Sequence, residues 1–475
     1  MSVGVLVVNA EIGGRPGLAV RVRGGLVSEV GPGLRGQPGE PVLDAGGGAV
    51  IPGLHDHHLH LRSAVASRTS LRLDPATVVA AGGFAAALRS AATAAPTGEW
   101  MRGIGAHGGE VERLDRWALD AIVADRPVRL QHRSGALWLL NSAAVIALGV
   151  GRWSAAGVER LADGTPTGRL WRLDERVRDA ASDAAASQAA GLAKLSGDAL
   201  RLGITGFTDA TAGRSRADVL DLDEQVRAGR IRQRLTLLAD PELRELEPAG
   251  VRLGARKIVL DDQSLPAEDE LAALFAATHK RGCPVAVHCV SAEQLVLAVG
   301  AFRCAGSQVG DRIEHAGIVP PGFSRSLAKL GITVVTQPGF LSARGDDYLR
   351  DVPPAELGWL YPCGTLLAAG VLVGAGSDAP FGPLDPWLAM ATAVERRSRA
   401  GAAIGLPERI DPASALRLYL GRADSPGEPR RVAAGEPGEL CVLRAPIDRV
   451  LSELGSDQVA AVVIGDEIVE VAGND

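Results

Sequence analysis

The sequence predicts an α/β protein in which helices connect the strands of a parallel sheet, with a β-rich segment at each end of the chain. In the middle of the chain, short apolar runs alternate with longer Ala-, Leu- and Arg-rich segments of helical period. This alternation is typical of a barrel or a doubly wound sheet. The first 48 residues and the segment after about 439 instead alternate short apolar runs with glycine turns, which predicts hairpins.

Short apolar runs in the middle region are the candidate strands. The segment from about 62 to 176 interrupts the alternation, and we expect it to be an insertion over the sheet or barrel. The predicted strands are Ala49–Leu54, Val128–Gln131, Thr205–Thr208, Arg232–Leu238, Arg256–Leu260, Pro284–Val287, Asp311–Glu314, Ile332–Thr336 and Val371–Ala375.

Composition excludes several classes of protein. A formal charge of −6 argues against a nucleic-acid-binding surface, which would show a basic excess. The most apolar stretch, Val78–Ala95, is too weak to span a membrane, and no basic segment precedes an apolar one at the start. The five cysteines are scattered without a Cys-x-x-Cys pair, which favours reduced thiols and a cytoplasmic location.

Residues of metal-ligand type stand at or just after the ends of four predicted strands. The segment Pro52–His60 (PGLHDHHLH) contains two His-x-His pairs, and residues two apart on a strand point the same way. In a barrel, the carboxyl ends of the strands converge on one face. Nitrogen and carboxylate ligands of this kind suit Zn²⁺ and related divalent ions. The other three positions are His288, His315 and Asp378.

Lys257 is the fifth candidate. It lies in an apolar strand, and only four of the 50 basic residues of the chain are lysines. Burying an ammonium group is costly, and arginine is the basic residue that this chain otherwise prefers. A neutral lysine can react with CO2 to form a carbamate, an anionic ligand able to bridge two metal ions. In the alternative, Lys257 extends from a strand end and places its ammonium group in solvent.

The order of motifs resembles that of the amidohydrolase superfamily, in the branch called YtcJ-like or amidohydrolase family 3. The opening segment Pro52–His60 resembles its first metal motif, and the resemblance covers nearly the whole chain. The later landmarks are Trp100–Gly105, Asp125–Val128, Asn141–Ala144, Asp163–Gly168, Arg312–His315 and Gly376–Pro380.

The resemblance implies a (β/α)8 TIM-like barrel over 50–423 and a small β-sandwich domain formed by 1–49 and 424–475. It implies one or two divalent ions, with Zn²⁺ expected, a carbamylated Lys257, and Asp378 as both ligand and catalytic proton shuttle. The implied metal ligands are His58, His60, Lys257, His288, His315 and Asp378.

Several features depart from the family pattern. His55 and His57 form a second His-x-His frame, which leaves an auxiliary or alternative ligand open. After Lys257 the usual Asp-Gly-Ser is replaced by Asp261–Ser264 (DDQS).

Position in loops and family analogy alone suggest His107, Trp138 and Gln337 as substrate-binding residues.

The predicted reaction is hydrolysis of a non-peptide carbon–nitrogen bond, in an amide, N-acyl or N-formyl compound, by metal-activated water. The partner is a small-molecule substrate, with a homodimer as a further expectation from homologues. Two alternatives stay open. A heterocycle deaminase or a lactone-type hydrolase would use the same site, with Glu314 as a candidate acidic partner, and a catalytically inactive scaffold would keep the fold alone.

Overall fold

The computed structural model describes residues 4–96, 98–173, 176–177 and 185–472 of the 475-residue chain. These residues form two compact units, Met1–Leu61 with Leu192–Asp475, and Arg62–Gly191. The boundaries predicted for the two domains and the insertion stay predictions, and their outermost residues, 1–3 and 473–475, lie outside the described residues. Within the described part of the chain, none of the helices combines the length and the apolar character needed to cross a bilayer.

The chain begins with short strands connected by tight turns. The first hairpin turns at Gly13 and Gly14, whose positive φ angles favour glycine. These strands are β1 (Val5–Ile12), β2 (Arg15–Arg23), β3 (Leu26–Gly31), β4 (Val42–Asp44) and β5 (Val50–Pro52).

The predicted strand Ala49–Leu54 is divided in the structure. Residues 50–52 form β5, and after Gly53 a new strand, β6 (Leu54–Leu59), begins in a different sheet. A side chain at Gly53 would place its Cβ 2.2 Å from Thr205 Oγ1, so only glycine allows this close approach. The predicted strand end is therefore wrong, because His55, His57 and His58 lie within β6 and only His60 follows it.

The unit Arg62–Gly191 contains a six-stranded sheet of order β11-β12-β10-β9-β8-β7, which is antiparallel except for the β7–β8 and β8–β9 pairs. Buried apolar residues such as Leu88, Leu130 and Leu139 form its core. Its strands are β7 (Leu71–Arg72), β8 (Met101–Ala106), β9 (Val128–His132), β10 (Leu137–Leu140), β11 (Val158–Arg160) and β12 (Pro166–Trp171), and the helices of this part of the chain are α1 (Leu61–Arg68), α2 (Pro75–Ala80), α3 (Phe84–Ala94), α4 (Arg116–Asp120) and α5 (Ser142–Ala147).

The alternation predicted for the rest of the chain is present as parallel strands followed by helices. The strands are β13 (Ile204–Asp209), β14 (Arg234–Leu237), β15 (Val251–Leu253), β16 (Arg256–Val259), β17 (Val285–Cys289), β18 (Arg312–His315), β19 (Thr333–Thr336) and β20 (Val373–Ala375). The helices are α6 (Ala185–Arg201), α7 (Arg216–Arg227), α8 (Glu268–His279), α9 (Ala292–Ala305), α10 (Phe323–Leu330), α11 (Gly339–Asp351), α12 (Cys363–Ala368), α13 (Pro386–Glu395) and α14 (Pro412–Arg417).

Together with β6, these strands close into a (β/α)8 barrel, in which β15 and β16 count as one strand. One run has the order β15-β14-β13-β6 and the other β16-β17-β18-β19-β20. β15 and β16 are two halves of one bent strand, since Gly254 N donates to Leu237 O on one side and Arg256 N donates to Pro284 O on the other, both at 2.8 Å. Backbone hydrogen bonds between the segment after β20 and β6 join the remaining edges.

The two ends of the chain form a β-sandwich. The C-terminal elements are β21 (Leu440–Leu443), α15 (Ile447–Ser452), β22 (Val459–Ile464) and β23 (Glu467–Glu470). One sheet has the order β3-β2-β1-β4 and the other β23-β22-β21-β5. Side chains from both sheets, including Val7, Val20, Val442 and Val463, form one buried apolar cluster.

Candidate metal centre

The histidines of β6 divide into two sets. His55 Nε2 lies 2.9 Å from Thr208 Oγ1, and the His55 and His57 rings stack with their centroids 4.4 Å apart. His58, on the other face of the strand, approaches residues from the far side of the barrel. Because side chains alternate along β6, His55 and His57 lie on one face of the strand and His58 lies on the other.

Within the described residues, His58, His315 and Asp378 form a buried cluster whose ligand atoms lie within 4.8 Å of one another. They come from strands β6 and β18 and from the segment after β20. His60 Nε2 lies 3.1 Å from Asp378 Oδ1, and His58 Nε2 lies 3.5 Å from the same oxygen. His288 is adjacent, since its ring centroid is 4.5 Å from that of His315.

The backbone at this cluster is in an uncommon conformation. His315 and Asp378 have φ angles of 71° and 51°, in the left-handed region that residues other than glycine rarely adopt. Gly376 lies against β6, because a Cβ there would be 2.4 Å from His58 N. Uncommon backbone geometry of this kind occurs at functional sites.

Burial lowers the pKa of three of these histidines. It lowers the pKa of His58 and takes that of His288 well below its usual value. The pKa of His315 falls to about 3, again mainly through burial and then through His58. Neutral imidazole rings keep a nitrogen lone pair, which is the form that binds a metal ion.

Asp378 carries the negative charge of the cluster. Burial acts to raise the pKa of its carboxyl group, but the neighbouring His60, His58 and His315 outweigh burial and hold the pKa below its usual range. The Asp378 carboxylate and the imidazole rings beside it together form a donor set of nitrogen and carboxylate ligands.

Lys257 lies in β16 with 9% of its surface exposed. Its Nζ is buried and makes no hydrogen bond to the described residues. Burial lowers the pKa of this amine, and the charge of Lys257 in turn lowers the pKa of His58 and His288. An unpartnered buried amine is costly unless a further group completes its surroundings.

Hydrogen bonds with neighbouring residues orient the histidines. His60 Nδ1 lies 3.1 Å from Thr211 Oγ1, and His315 Nδ1 lies 2.7 Å from Gln337 Oε1. His58 Nδ1 contacts a carboxylate oxygen of Glu314. His58 and His60 thereby direct Nε2 toward Asp378 Oδ1, whereas His315 Nδ1 itself lies 4.0 Å from Asp378 Oδ2. Such second partners tune metal ligands.

Asp56 is a site residue that the sequence analysis missed. Its carboxylate accepts hydrogen bonds from the backbone N–H groups of His58 and Ser377, at 3.1 and 2.9 Å, and from Ser377 Oγ at 2.6 Å. Burial raises the pKa of Asp56 to about 7. The signal in the sequence was a carboxylate between the histidines of the Pro52–His60 segment.

The three residues predicted to bind substrate lie in different surroundings. Gln337 is 1% exposed and bonded to His315, which favours a supporting role. In the unit Arg62–Gly191, His107 is half-buried with Nδ1 2.8 Å from Gly105 O, and buried Trp138 has the Arg102 guanidinium 5.7 Å from its ring centroid. Their contact with substrate stays a prediction.

A cavity of about 380 Å³ near the amino-terminal ends of β15, β17 and β18 contains none of the residues of the cluster. Its lining mixes apolar side chains with charged ones, among them Arg244, Arg252 and Asp424. The active site of a (β/α)8 barrel lies at the carboxyl-terminal ends of the strands, where the cluster is found. The cluster, and not this cavity, is therefore the candidate active site.

The residues of the cluster fit a divalent metal ion. Three buried atoms in or beside the cluster lack a hydrogen-bond partner among the described residues: His58 Nε2, Asp378 Oδ1 and Lys257 Nζ. Imidazole nitrogen and carboxylate oxygen are the ligands that Zn²⁺ and similar ions take in proteins. A bound cation would satisfy the first two of these atoms directly.

Comparison with known proteins gives consistent matches over most of the chain. Residues 41–470 match the amidohydrolase family profile. N-substituted formamide deformylase of Arthrobacter pascens is 28% identical, over 93% of this chain and 92% of that protein. The amidohydrolase relative YtcJ of Bacillus subtilis is 24% identical over 81% of each chain.

Solved structures show the same fold. A metal-dependent hydrolase from Pyrococcus horikoshii aligns with a TM-score of 0.71 at 20% identity, covering 93% of this chain and 97% of that one. N-isopropylammelide isopropylaminohydrolase from Burkholderia multivorans aligns with a TM-score of 0.54 at 16% identity, covering 98% of both chains.

Proposed function

This chain belongs to the amidohydrolase family, hydrolases of carbon–nitrogen bonds other than peptide bonds, and on that premise we propose that it hydrolyses a small N-formyl or N-acyl amide. The products would be a carboxylic acid, formic acid in the first case, and an amine. The N-formyl class is placed first because the relative from Arthrobacter pascens is an N-substituted formamide deformylase.

The buried cluster of His58, His315 and Asp378 carries this proposal. We assign His58, His60, His288, His315 and Asp378 as the residues that hold a divalent ion, with Zn²⁺ as the first choice for this donor set. When bound, such an ion lowers the pKa of water toward about 7 and polarises a carbonyl group.

Asp378 is the proposed proton shuttle. Its carboxylate accepts a proton from the attacking water as the oxygen bonds to the carbonyl carbon. Asp378 then passes this proton to the nitrogen as the carbon–nitrogen bond breaks. The amine leaves neutral, and the Asp378 side chain is again a carboxylate. The backbone hydrogen bond from Asp378 N to His58 O, 2.7 Å long, holds the side chain beside the histidines during both transfers.

We propose that Lys257 carries a carbamate. Addition of CO2 to the neutral amine forms a nitrogen–carbon bond and releases one proton, which gives an anionic group at Nζ. The observation in support is that Nζ is buried and lacks a hydrogen-bond partner among the described residues. With the carbamate the site would hold two ions, and without it one.

The contacts of Glu314 favour this reaction over deamination of a heterocycle. A ring deaminase needs an acidic group directed at the substrate near the metal. Both oxygens of Glu314 are already engaged, one by His58 and the other by Arg312, and the side chain is fully buried. The complete donor set also favours an enzyme over an inactive scaffold.

The charge and the cysteine distribution of the chain bear on its cellular location and its partners. We propose a cytoplasmic protein that acts on a small-molecule substrate without a nucleic-acid or membrane partner, in agreement with its acidic charge and scattered cysteines. A homodimer stays an expectation from homologues.

The test is metal content by elemental mass spectrometry, followed by a panel of N-formyl and N-acetyl amines of matched size. We expect one or two equivalents of Zn²⁺ and release of formate with an equimolar amount of amine. Loss of one equivalent in Lys257→Ala, with a mass increase of CO2 in the native protein, would support the carbamate. A protein that takes up no metal from supplemented medium would refute the proposal.

A further inference from the structure

Glu314 crosses the interior of the barrel to contact His58. β18 pairs with β17 and β19, whereas β6 pairs with β13, so the two residues lie on strands that are not neighbours. They are also 256 positions apart in sequence. The contact is therefore not a by-product of strand pairing.

We propose that Glu314 is a positioning residue that fixes the tautomer and the orientation of His58 for metal binding. The inference rests on the proposed function only in assuming that His58 binds a divalent ion. Glu314 does not touch the substrate or the metal in this scheme, and it acts through the imidazole ring of His58.

The hydrogen bonds of Glu314 determine which ring nitrogen of His58 carries the proton. One carboxylate oxygen of Glu314 contacts His58 Nδ1, and the other accepts from Arg312 Nε. The guanidinium group favours the ionised carboxylate, which can only accept hydrogen bonds. The proton of His58 therefore lies on Nδ1, and the lone pair lies on Nε2, the atom 3.5 Å from Asp378 Oδ1.

Arg312 is itself held in place. It donates to the backbone carbonyl oxygen of His57 at 3.4 Å, next to the residue that Glu314 orients. The exposed fractions of the side chains are 1% for His58, 0% for Glu314 and 4% for Arg312. The His58 ring and the Glu314 carboxylate are almost inaccessible to solvent, so the ring has few alternative partners.

An ion pair in such a position is not explained by stability alone. Removing two charges from water costs several kcal/mol per ion, and replacement of buried ion pairs by apolar residues is often neutral or stabilising. A carboxylate that accepts from the second nitrogen of a metal-binding histidine fixes the ring and increases its basicity. This role accounts for a charged group in the barrel interior.

The test compares Glu314→Gln with Glu40→Gln. Glu40 is a matched control because its side chain is also fully buried and accepts from an arginine, Arg21 Nε at 2.7 Å, but in the N-terminal sheet. The dissociation constant for Zn²⁺ is measured by competition with a chromophoric chelator. The visible spectrum of the Co²⁺-substituted protein reports the coordination of the ion separately from activity.

We expect Glu314→Gln to weaken Zn²⁺ binding by about 10- to 100-fold and to change the Co²⁺ spectrum. Glu40→Gln should lower thermal stability and leave both readouts unchanged. Glu314→Asp, which keeps a carboxylate, should restore part of the affinity.

Three results would decide against the proposal or its premise. Unchanged Zn²⁺ affinity and Co²⁺ spectrum in folded Glu314→Gln would overturn it. If Glu314→Gln, Glu314→Asp and Arg312→Lys all fail to fold, the role of Glu314 is structural and the proposal fails. Wild-type protein that binds no Zn²⁺ would instead refute the proposed function, so the two failures are distinguishable.

Discussion

The backbone N–H of Asp378 donates a 2.7 Å hydrogen bond to the backbone carbonyl oxygen of His58. Through this bond, and through that from His60 N to Ala379 O at 2.9 Å, the last strand segment of the barrel meets the first. The closure of the barrel and the candidate metal site thus share the same residues. A change in the backbone here should alter both stability and metal binding, whereas a change confined to a side chain should alter chemistry alone.

Asp378→Asn should separate these two effects. The variant keeps the backbone bond to His58 and the size of the side chain, but the amide cannot shuttle a proton. We expect turnover to fall by about 10²- to 10⁴-fold, the usual range for a general acid–base group, with the melting temperature little changed. Steady-state kinetics and thermal unfolding are the measurements. Near-normal turnover in the folded variant would remove Asp378 from the mechanism.

Gly376→Ala should affect both properties. The added Cβ would lie 2.4 Å from His58 N, so the two backbone segments must separate. We expect the free energy of unfolding to fall by about 1–3 kcal/mol, with weaker Zn²⁺ binding. The control is Gly197→Ala in α6, where nothing lies within 4 Å and alanine should stabilise the helix by about 0.5–1 kcal/mol. Urea titrations in which Gly376→Ala is as stable as wild type would contradict this view of the barrel closure.

The sequence pattern predicted helix-connected parallel strands, in a barrel or a doubly wound sheet, and the resemblance to the amidohydrolase superfamily implied the barrel and the order of the candidate ligands. Periodicity reveals strand–helix alternation, and the carboxyl ends of parallel strands in a barrel converge on one face. His58, His315 and Asp378 could therefore be grouped before their distances were known. The same reasoning placed the strand end at Leu54, which is wrong because β5 and β6 belong to different sheets.

Contacts across the barrel interior could not be predicted. Periodicity shows which face of a strand a residue occupies, but not which of the opposite strands it reaches. The approach of Glu314 to His58 depends on how eight strands close, and the burial of Gln337 depends on the packing of β19 and the residues that follow it. These two residues could be named from the sequence, but their partners could not.

Gln337→Ala should distinguish a supporting role from a substrate-binding one. Gln337 Oε1 lies 2.7 Å from His315 Nδ1, and its amide group donates to Val335 O at 3.3 Å. If it orients His315, Zn²⁺ affinity falls by about 10- to 100-fold while KM at saturating metal is nearly unchanged. Gln337→Glu, which keeps an acceptor oxygen, should restore binding. A raised KM with normal Zn²⁺ affinity would assign Gln337 to the substrate instead.

Asp209 should make the barrel sensitive to acid. Its carboxylate accepts from Arg214 at 2.6 Å, from Thr211 N at 2.9 Å and from Leu61 N at 3.0 Å. Burial acts to raise the pKa of this group, but the neighbouring Arg214 and His60 and the hydrogen bonds from Thr211 outweigh burial and hold the pKa at about 2. A folded-state pKa below the unfolded value near 3.8 means that the stabilisation is complete above pH 4.

The stabilisation from Asp209 should be lost as the pH falls from about 4 to 2. We expect Asp209→Asn to lower the free energy of unfolding by about 2 kcal/mol at pH 7, and the difference from wild type should shrink across this acid range. Denaturant titrations at several pH values measure it. Asp198→Asn, which removes an exposed ion pair with Arg201, is the control and should have little effect at any pH, because exposed pairs contribute little. If the difference caused by Asp209→Asn stays constant down to pH 2, the loss arises from packing rather than from the charge of Asp209.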